Sequence, residues 1–461
     1  MTTIDSNPDN SATAVSRRDF VKFAGAAGAS MALVRPTWAQ AQGGGDPINT
    51  AIIGVGRQGK IILNHSLKIP GVHFKAVCDI WPYSQRIGSG LCKRSKQQVN
   101  LYENHKQMLA QERDLDAVLI ATPDFWHAPI AIDCLEAGLH VYCEKEMSNE
   151  IEKARAMVLA SRQAGKLLQI GHQRRSNPFY RHAYRLMHKD RVFGDITTVN
   201  GQWNQLKPLA PMPKRLVEKW ALPEQKLAEY GYETMDQFYN WRWFRKYAGG
   251  PMADLGSHQV DVFIWYLRAR PSSVFALGGV ERAVAKAKKN KVGYVPECFD
   301  HTLSLYEFQT DHGSVRGFYQ VNLTTSHGGF FEEFMGDQGS MTISEINAKN
   351  AMFRERVAEA KEWEDDAEKF EKDGKEAMNF DPLKSRKAKG KMDKEGMKIE
   401  KDLAKPAHMP HLENFFAAIR GQAELTCPGD VGFETCVAVL KASESARTGR
   451  RIEFSPTDFE A

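Results

Sequence analysis

Within GGPMADLGSHQVDVFIW, residues 249–265, Asp254 and His258 stand four residues apart at the start of a predicted helix. At about 100° per residue, Val260, Phe263, Ile264 and Leu267 form one apolar stripe, and Asp254 and His258 point roughly opposite, toward solvent or a cleft. An Asp at i with a His at i+4 is either an ordinary helix-surface pair or a general base whose carboxylate partner fixes the imidazole. Spacing alone leaves both open. A second reactive group, Lys145, ends the strand-like HVYCEK between Glu144 and Glu146. By residue type alone it reads as a plain solvated lysine.

A third constellation binds rather than reacts. Gly54, Gly56 and Gly59, in GVGRQG, form G-x-G-x-x-G between a predicted strand and helix. The first glycine permits a tight turn, the second lets a pyrophosphate approach, and the third lets helix and strand pack closely. The helix start, with Arg57 and Gln58, offers N–H groups and a positive dipole to phosphates. Asp79 closes the next strand about twenty residues on, where a ribose hydroxyl would be held. An acidic group there favours NAD over NADP, with Arg57 and Arg86 pulling the other way. ATPDFWH, residues 121–127, follows a later strand at the sheet's carboxyl edge, which makes Thr122, Pro123 and His127 candidate cofactor contacts alongside Glu144 and Lys145. The segments GHQRRSN, QWN and YNWRWFRKY supply His172, Arg174, Arg175, Asn177, Trp203, Trp241, Arg242 and Trp243. Aromatic faces with amide and guanidinium donors suit polyols and sugars, acidic ones included, although about half of these tryptophans are expected in core or interface.

The elements that must position these groups alternate as in an α/β protein. NTAIIGVG, HFKAVCD, DAVLIAT, HVYCEK and KLLQIGH read as strands, separated by helix-length segments. One of these, HAPIAIDCLEAGLH, has Pro129 suited to its first turn and Gly138 to its end; another, IEKARAMVLASRQAG, closes at Gly165. A first, dinucleotide-binding domain therefore spans 47–171. From 172 to 461 the strands are joined by short turns and suggest a mostly antiparallel sheet, with one clear helix at GSHQVDVFIWYLR. Residues 355–405 are charged in both signs and read as a solvated helical excursion or mobile insertion. Two amphipathic helices close the chain, the first presenting Leu412, Phe415, Phe416 and Ile419 on one face.

The chain has 461 residues, 42% hydrophobic and 26% charged, enough for two or three ordinary globular domains. Its net charge of +5 comes from mixed runs, so nucleic acid is a poor partner. The 7 cysteines show no C-x-x-C spacing, so neither a disulfide framework nor a metal site is expected. The N-terminus, residues 1–45, stands apart. SRRDFVK, with Arg17 and Arg18, precedes an apolar run too short and too rich in Gly and Ala to span a membrane. TWAQAQGGG then offers small residues for cleavage after Ala39 or Ala41. A disordered tail or a transit peptide is the plainer reading. The order of paired Arg, apolar run and cleavage site instead resembles a twin-arginine export signal, implying passage through the twin-arginine translocase to the periplasm or beyond.

Taken jointly, G-x-G-x-x-G with Asp79, ATPDFWH, EK after a strand and GG-x-x-x-D-x-G-x-H resemble the glucose–fructose oxidoreductase, inositol dehydrogenase and rhizopine-catabolism (Gfo/Idh/MocA) family over nearly the whole mature chain. The resemblance implies a Rossmann domain, then an α+β domain whose large, mostly antiparallel open sheet carries substrate and often the interface of a homo-oligomer. It also implies that Lys145 is the active-site lysine and that Asp254 and His258 are the catalytic pair. One position departs from the pattern: Glu146 stands where the family usually has proline, adding a carboxylate beside Lys145.

The chemistry that follows is oxidation of a secondary alcohol on a sugar or cyclitol, with hydride passing to nicotinamide. His258 would be the base, Asp254 its orienting partner and Lys145 the group polarising the substrate oxygen; Lys145 as principal acid/base is the alternative. An exported enzyme has no pool of free NAD, so its nucleotide would be loaded before export, held tightly and recycled. It would then oxidise one sugar and reduce another, or act as a glycoside lyase or hydrolase through transient oxidation and elimination. A catalytically inactive sugar-binding relative is a third class, against which Lys145, Asp254 and His258 argue.

Overall fold

The computed structural model describes residues 47–461, except 208, 362, 363, 366 and 382–399. The export-signal reading of residues 1–45 lies outside the described residues. Short aliphatic runs form a first sheet of β1 (Ile48–Ile53), β2 (Val72–Cys78), β3 (Asn100–Tyr102), β4 (Ala117–Ile120), β5 (His140–Cys143) and β6 (Leu168–Ile170). They pair in parallel in the order β3-β2-β1-β4-β5-β6. The order reverses between β1 and β4, which opens a crevice at the carboxyl ends where ligands of such sheets bind. Helices α1 (Arg57–Ser66), α2 (Pro82–Arg94), α3 (His105–Gln111), α4 (Asp124–Glu136) and α5 (Ile151–Ala164) lie between the strands. Left-handed Gly138 and Gly165 end α4 and α5. The start of α4 differs from the expectation: the helix begins at Asp124, and Pro129 lies inside it rather than in its first turn.

After α6 (Pro178–His188) the chain enters β7 (Ile196–Asn204), then α7 (Lys214–Trp220), α8 (Glu224–Glu229) and α9 (Met235–Tyr239). A π turn (Met252–Gly256) leads into α10 (Ser257–Leu267), and α11 (Glu281–Lys289) follows further along the chain. The second sheet adds β8 (Pro271–Gly279), β9 (His301–Thr310), β10 (Gly313–Asn322), β11 (Phe330–Gly336), β12 (Gly339–Ile343), β13 (Ala351–Arg354), β14 (Glu368–Lys372), β15 (Lys375–Asn379) and β16 (Ile452–Glu453). Its order is β14-β15-β13-β12-β11-β7-β10-β9-β8-β16. Among these strands β7 and β10 run parallel, and the remaining neighbours are antiparallel.

Two expectations change. The described part of the charged stretch is α-helical only at 400–403; before it, β14 and β15 form a hairpin that extends the sheet. The cause is the Asp373-Gly374 turn, where both residues adopt positive φ (54° and 73°), as a tight hairpin turn requires. Helix α10 is not amphipathic in place either, since every residue but Trp265 is buried. It is wedged under the sheet, so its polar residues Gln259 and Asp261 are core groups. The C-terminal α12 (Met409–Ile419) returns to the first sheet, burying Leu412, Phe415 and Phe416 against Ile52, Val77, Leu119 and Tyr142. Beside it, α13 (Gly429–Thr448) packs so closely that a Cβ at Gly432 would lie 2.6 Å from Ile170.

Candidate active site

The glycine turn is shaped by close approach. Gly54 has φ +86, and a Cβ on it would sit 2.7 Å from the Ala121 carbonyl; one on Gly59 would sit 2.0 Å from the Gly54 oxygen. Gly56 faces open space. Beside this turn, Thr122 keeps a buried Oγ1 without a partner. An open backbone face, an orphaned hydroxyl and a helix start fit a pyrophosphate, so the residues present suit a dinucleotide. Asp79 accepts from Val55 N (2.7 Å) and Trp81 N (2.8 Å). Burial pushes its carboxyl up to about 6, against those two bonds. A carboxylate retains further acceptor positions, so Asp79 can brace the turn and still take a ribose hydroxyl. Pro123 caps α4, Arg57 is exposed, and Gln58 is drawn to His408 Nε2 at 2.8 Å.

His127 is corrected from a cofactor contact to a brace. Its Nδ1 lies 2.6 Å from the Glu146 carbonyl and its Nε2 2.8 Å from the Thr122 carbonyl, and burial lowers it to about 4. It ties the Thr122 turn to the lysine loop. Glu144 is also buried, accepting from the Tyr142 hydroxyl at 3.0 Å, with burial pushing its carboxyl up against the Lys145 charge. The Lys145–Glu146 peptide is cis. Glu146 is wholly buried; one oxygen accepts from Met147 N (2.9 Å) and the other has no partner. Burial pushes it up to about 8, so it is a neutral acid at pH 7 and not the added charge expected beside Lys145.

Lys145 donates to the Asp254 carbonyl and lies 4.0 Å from Asp254 Oδ1. The Asp254 side chain is not paired with His258. It stands in the π turn, with Oδ2 3.0 Å from Lys207 Nζ and Oδ1 3.1 Å from Arg242 Nε. Burial opposes its ionisation, but Lys207, Arg242 and Lys145 outweigh burial and hold the carboxyl well below its ordinary range. His258 has no hydrogen bond to the described protein; its ring stacks on Trp203 at 5.3 Å, and Trp203 stacks in turn on Phe330 at 4.5 Å. Burial, then the charges of Lys145 and Arg174, depress His258 well below the usual imidazole value. It is therefore a neutral imidazole with free ring nitrogens, oriented by an aromatic face rather than by a carboxylate.

The other substrate candidates divide. Trp203, Arg242 and His172 join the cluster. His172 is buried with neither ring nitrogen partnered, and burial lowers it to about 4. Arg174, only 1% exposed, is instead an internal cation: it pairs with Glu332, reaches Glu345 at 3.2 Å and underlies Trp203. Arg175 is likewise internal, bound to both oxygens of Asp261 at 2.9 and 3.0 Å. Asn177 caps α6 by accepting from Phe179 N at 2.9 Å. Trp243 is buried beneath Lys207, and Trp241 packs against the core under the Arg242 guanidinium at 4.2 Å. Arg174 and Arg175 are thus held by buried carboxylates rather than offered to a substrate, while Asn177, Trp241 and Trp243 are engaged in a helix cap and in packing. Sequence reasoning missed Lys207, His408 and Asp124. Asp124 accepts from Gly249 N (3.1 Å) and is pushed up to about 6 by burial and the Asp254 charge. Lys207 and His408 sit in no motif and are brought in from a distance, whereas Asp124 lies within ATPDFWH, between Pro123 and the start of the helix it opens.

A dinucleotide crevice facing a lysine, a neutral histidine and a charge-locked aspartate defines a two-domain nucleotide-dependent oxidoreductase. Residues 48–172 match "Oxidoreductase family, NAD-binding Rossmann fold" and residues 228–454 match "Oxidoreductase family, C-terminal alpha/beta domain", and the chain belongs to this Gfo/Idh/MocA family. Its first domain is thus an NAD-binding Rossmann domain. Over 139 residues it is 32% identical to inositol 2-dehydrogenase of Rubrobacter xylanophilus, 30% of this chain and 38% of that protein. Over 138 residues it is 33% identical to a glycosyl hydrolase family 109 protein of Stenotrophomonas maltophilia, 28% of this chain and 30% of that one. These matches span well under half of either relative. The fold is shared with the WlbA dehydrogenase of Bordetella pertussis, solved with NADH and UDP-GlcNAcA, at TM-score 0.63 and 20% identity over 89% of this chain and 98% of that one.

Proposed function

We propose that the chain is an exported oxidoreductase that acts on a secondary alcohol of a sugar or cyclitol and keeps and recycles its NAD. The carrying observation is His258, a neutral imidazole with no hydrogen-bond partner among the described residues, beside Lys145 and stacked on Trp203. His258 takes the hydroxyl proton of the substrate. Lys145, anchored on the Asp254 carbonyl, donates to the substrate oxygen. Asp254, kept ionised by Lys207 and Arg242, offsets part of the positive charge that these two and Lys145 bring to the cleft. NAD, when bound at the glycine turn, supplies the two-electron acceptor for the carbinol carbon.

A second reading, NAD-dependent glycoside cleavage by transient oxidation and elimination, is favoured by the likeness to a glycosyl hydrolase family 109 protein. It uses the same residues. Oligomerisation through the open sheet is supported by Leu277, Leu303, Leu305 and Phe318, exposed on β8, β9 and β10. Leu277 stands opposite Leu303 and Leu305 opposite Phe318, a contiguous apolar patch.

A panel of cyclitols, sugars and aryl glycosides assayed for both NADH and released aglycone separates the two readings. Lys145→Ala and His258→Ala are each expected to lower whichever activity is found by about 10²–10⁴-fold. Unchanged turnover in either variant would remove that residue from the chemistry.

A further inference from the structure

The family matches end at residue 172 and resume at 228, leaving residues 173–227 outside both. The last part of that gap carries α7, which leaves the second sheet after β7 and lies against the first domain. There the indole of Trp81 donates to the Trp220 carbonyl at 2.6 Å. Trp81 is the second residue after Asp79 and donates its own N–H to Asp79 at 2.8 Å. The Trp220 ring lies 5.8 Å from Tyr83 and 5.9 Å from the Arg86 guanidinium. All four first-domain groups follow the carboxyl end of β2, the end of a doubly wound sheet that receives the adenosine half of a dinucleotide.

The segment is pinned on the far side as well. Lys226 pairs with Glu103 at 2.6 Å, and the Trp126 indole donates to the Tyr230 carbonyl at 3.3 Å. Phe238 meets the edge of Trp81 at 5.7 Å, and Tyr232 meets the edge of Phe125 at 5.6 Å. Residues 214–238 therefore bridge the carboxyl ends of β2 and β4, which flank the nucleotide crevice. Trp81 is only 7% exposed although it stands at a sheet's open edge, because this segment covers it.

We propose that α7 is the adenosine-side wall of the NAD site and that Trp220, lent by the second domain, slows nucleotide release. This rests on the reading that the protein retains its cofactor, and it assigns the retention to a segment outside the family's shared parts. The nucleotide cannot leave past Asp79 without parting Trp220 from Trp81 and Tyr83.

The test follows release of NADH, by its fluorescence, from protein loaded with added NADH and chased with excess NAD. Trp220→Ala is expected to speed release about tenfold, the scale of one lost aromatic contact set, and Trp220→Phe to restore it to within about threefold. A second measurement needs no variant. Tryptic cleavage after Lys214, Arg215 or Lys219, all exposed on α7, should slow when the wild-type chain is saturated with NAD. Equal release rates in wild type and Trp220→Ala, or cleavage in α7 indifferent to NAD, would overturn the assignment. Rapid release from wild type together with a faster Trp220→Ala would instead sink cofactor retention while leaving the wall in place.

Discussion

The two ends of the cleft are specified differently. The nucleotide end is drawn by backbone: within six residues, Gly54 and Gly59 leave no room for a Cβ, which would meet its nearest neighbours at 2.0–2.9 Å, and Gly56 faces open space. The substrate end is drawn by charge, with Lys145, Lys207, Arg242 and Asp254 gathered from four separate segments and locked by mutual pairing. A backbone cradle tolerates no added atom but is indifferent to pH. A buried charge cluster tolerates changes of shape but not of protonation.

The sharpest way to break that contrast is at the glycines. Gly59→Ala forces a methyl onto the Gly54 carbonyl and is expected to cost about 3 kcal/mol of stability in denaturant unfolding and to abolish NAD binding. Gly56→Ala, which points into open space, should leave stability within about 0.5 kcal/mol but weaken NAD about tenfold in titration, because it fills the pyrophosphate's place. If both alanines weakened folding alike, Gly56 would be a packing residue and not part of a cradle.

A pH-dependent effect probes the loop beside Lys145. Glu146 has a folded value pushed up to about 8 from an ordinary 4.5. A raised acid contributes stability that is fully present below its unfolded value and is lost as pH rises through its folded one. Wild type should therefore lose melting temperature relative to Glu146→Gln as pH rises from about 5 to about 8, and the gap should level off above that. A gap independent of pH would mean that Glu146 is ionised in the folded protein.

What the sequence disclosed follows the same divide. The glycine turn, Asp79 at the end of β2 and Gly165 at the end of α5 depend on neighbours within a few residues, so their types and spacing were enough to place them. The tightening of α10 into the core was hidden, because burial of its polar face depends on the sheet above it and on Thr435 and Arg175, which hold Asp261. Arg174 and Arg175 looked like substrate donors because their carboxylates, Glu332 and Asp261, lie 158 and 86 residues away. Asp254 and His258 were singled out, but their pairing was not real: cations from Lys207 and Arg242 compete better for the carboxylate than a neutral imidazole does. The Asp373-Gly374 hairpin was legible in principle, and the surrounding charge drew attention from the turn dipeptide.

The proposed retention of the nucleotide joins both ends of the cleft to the proposed export, and it is open to one direct measurement. Protein purified without added nucleotide is denatured, and the released small molecules are identified by mass spectrometry. NAD or NADH at close to the molar amount of the chain is the expected result. Protein that is folded, binds added NADH and yet releases none would contradict a carried, self-renewing cofactor.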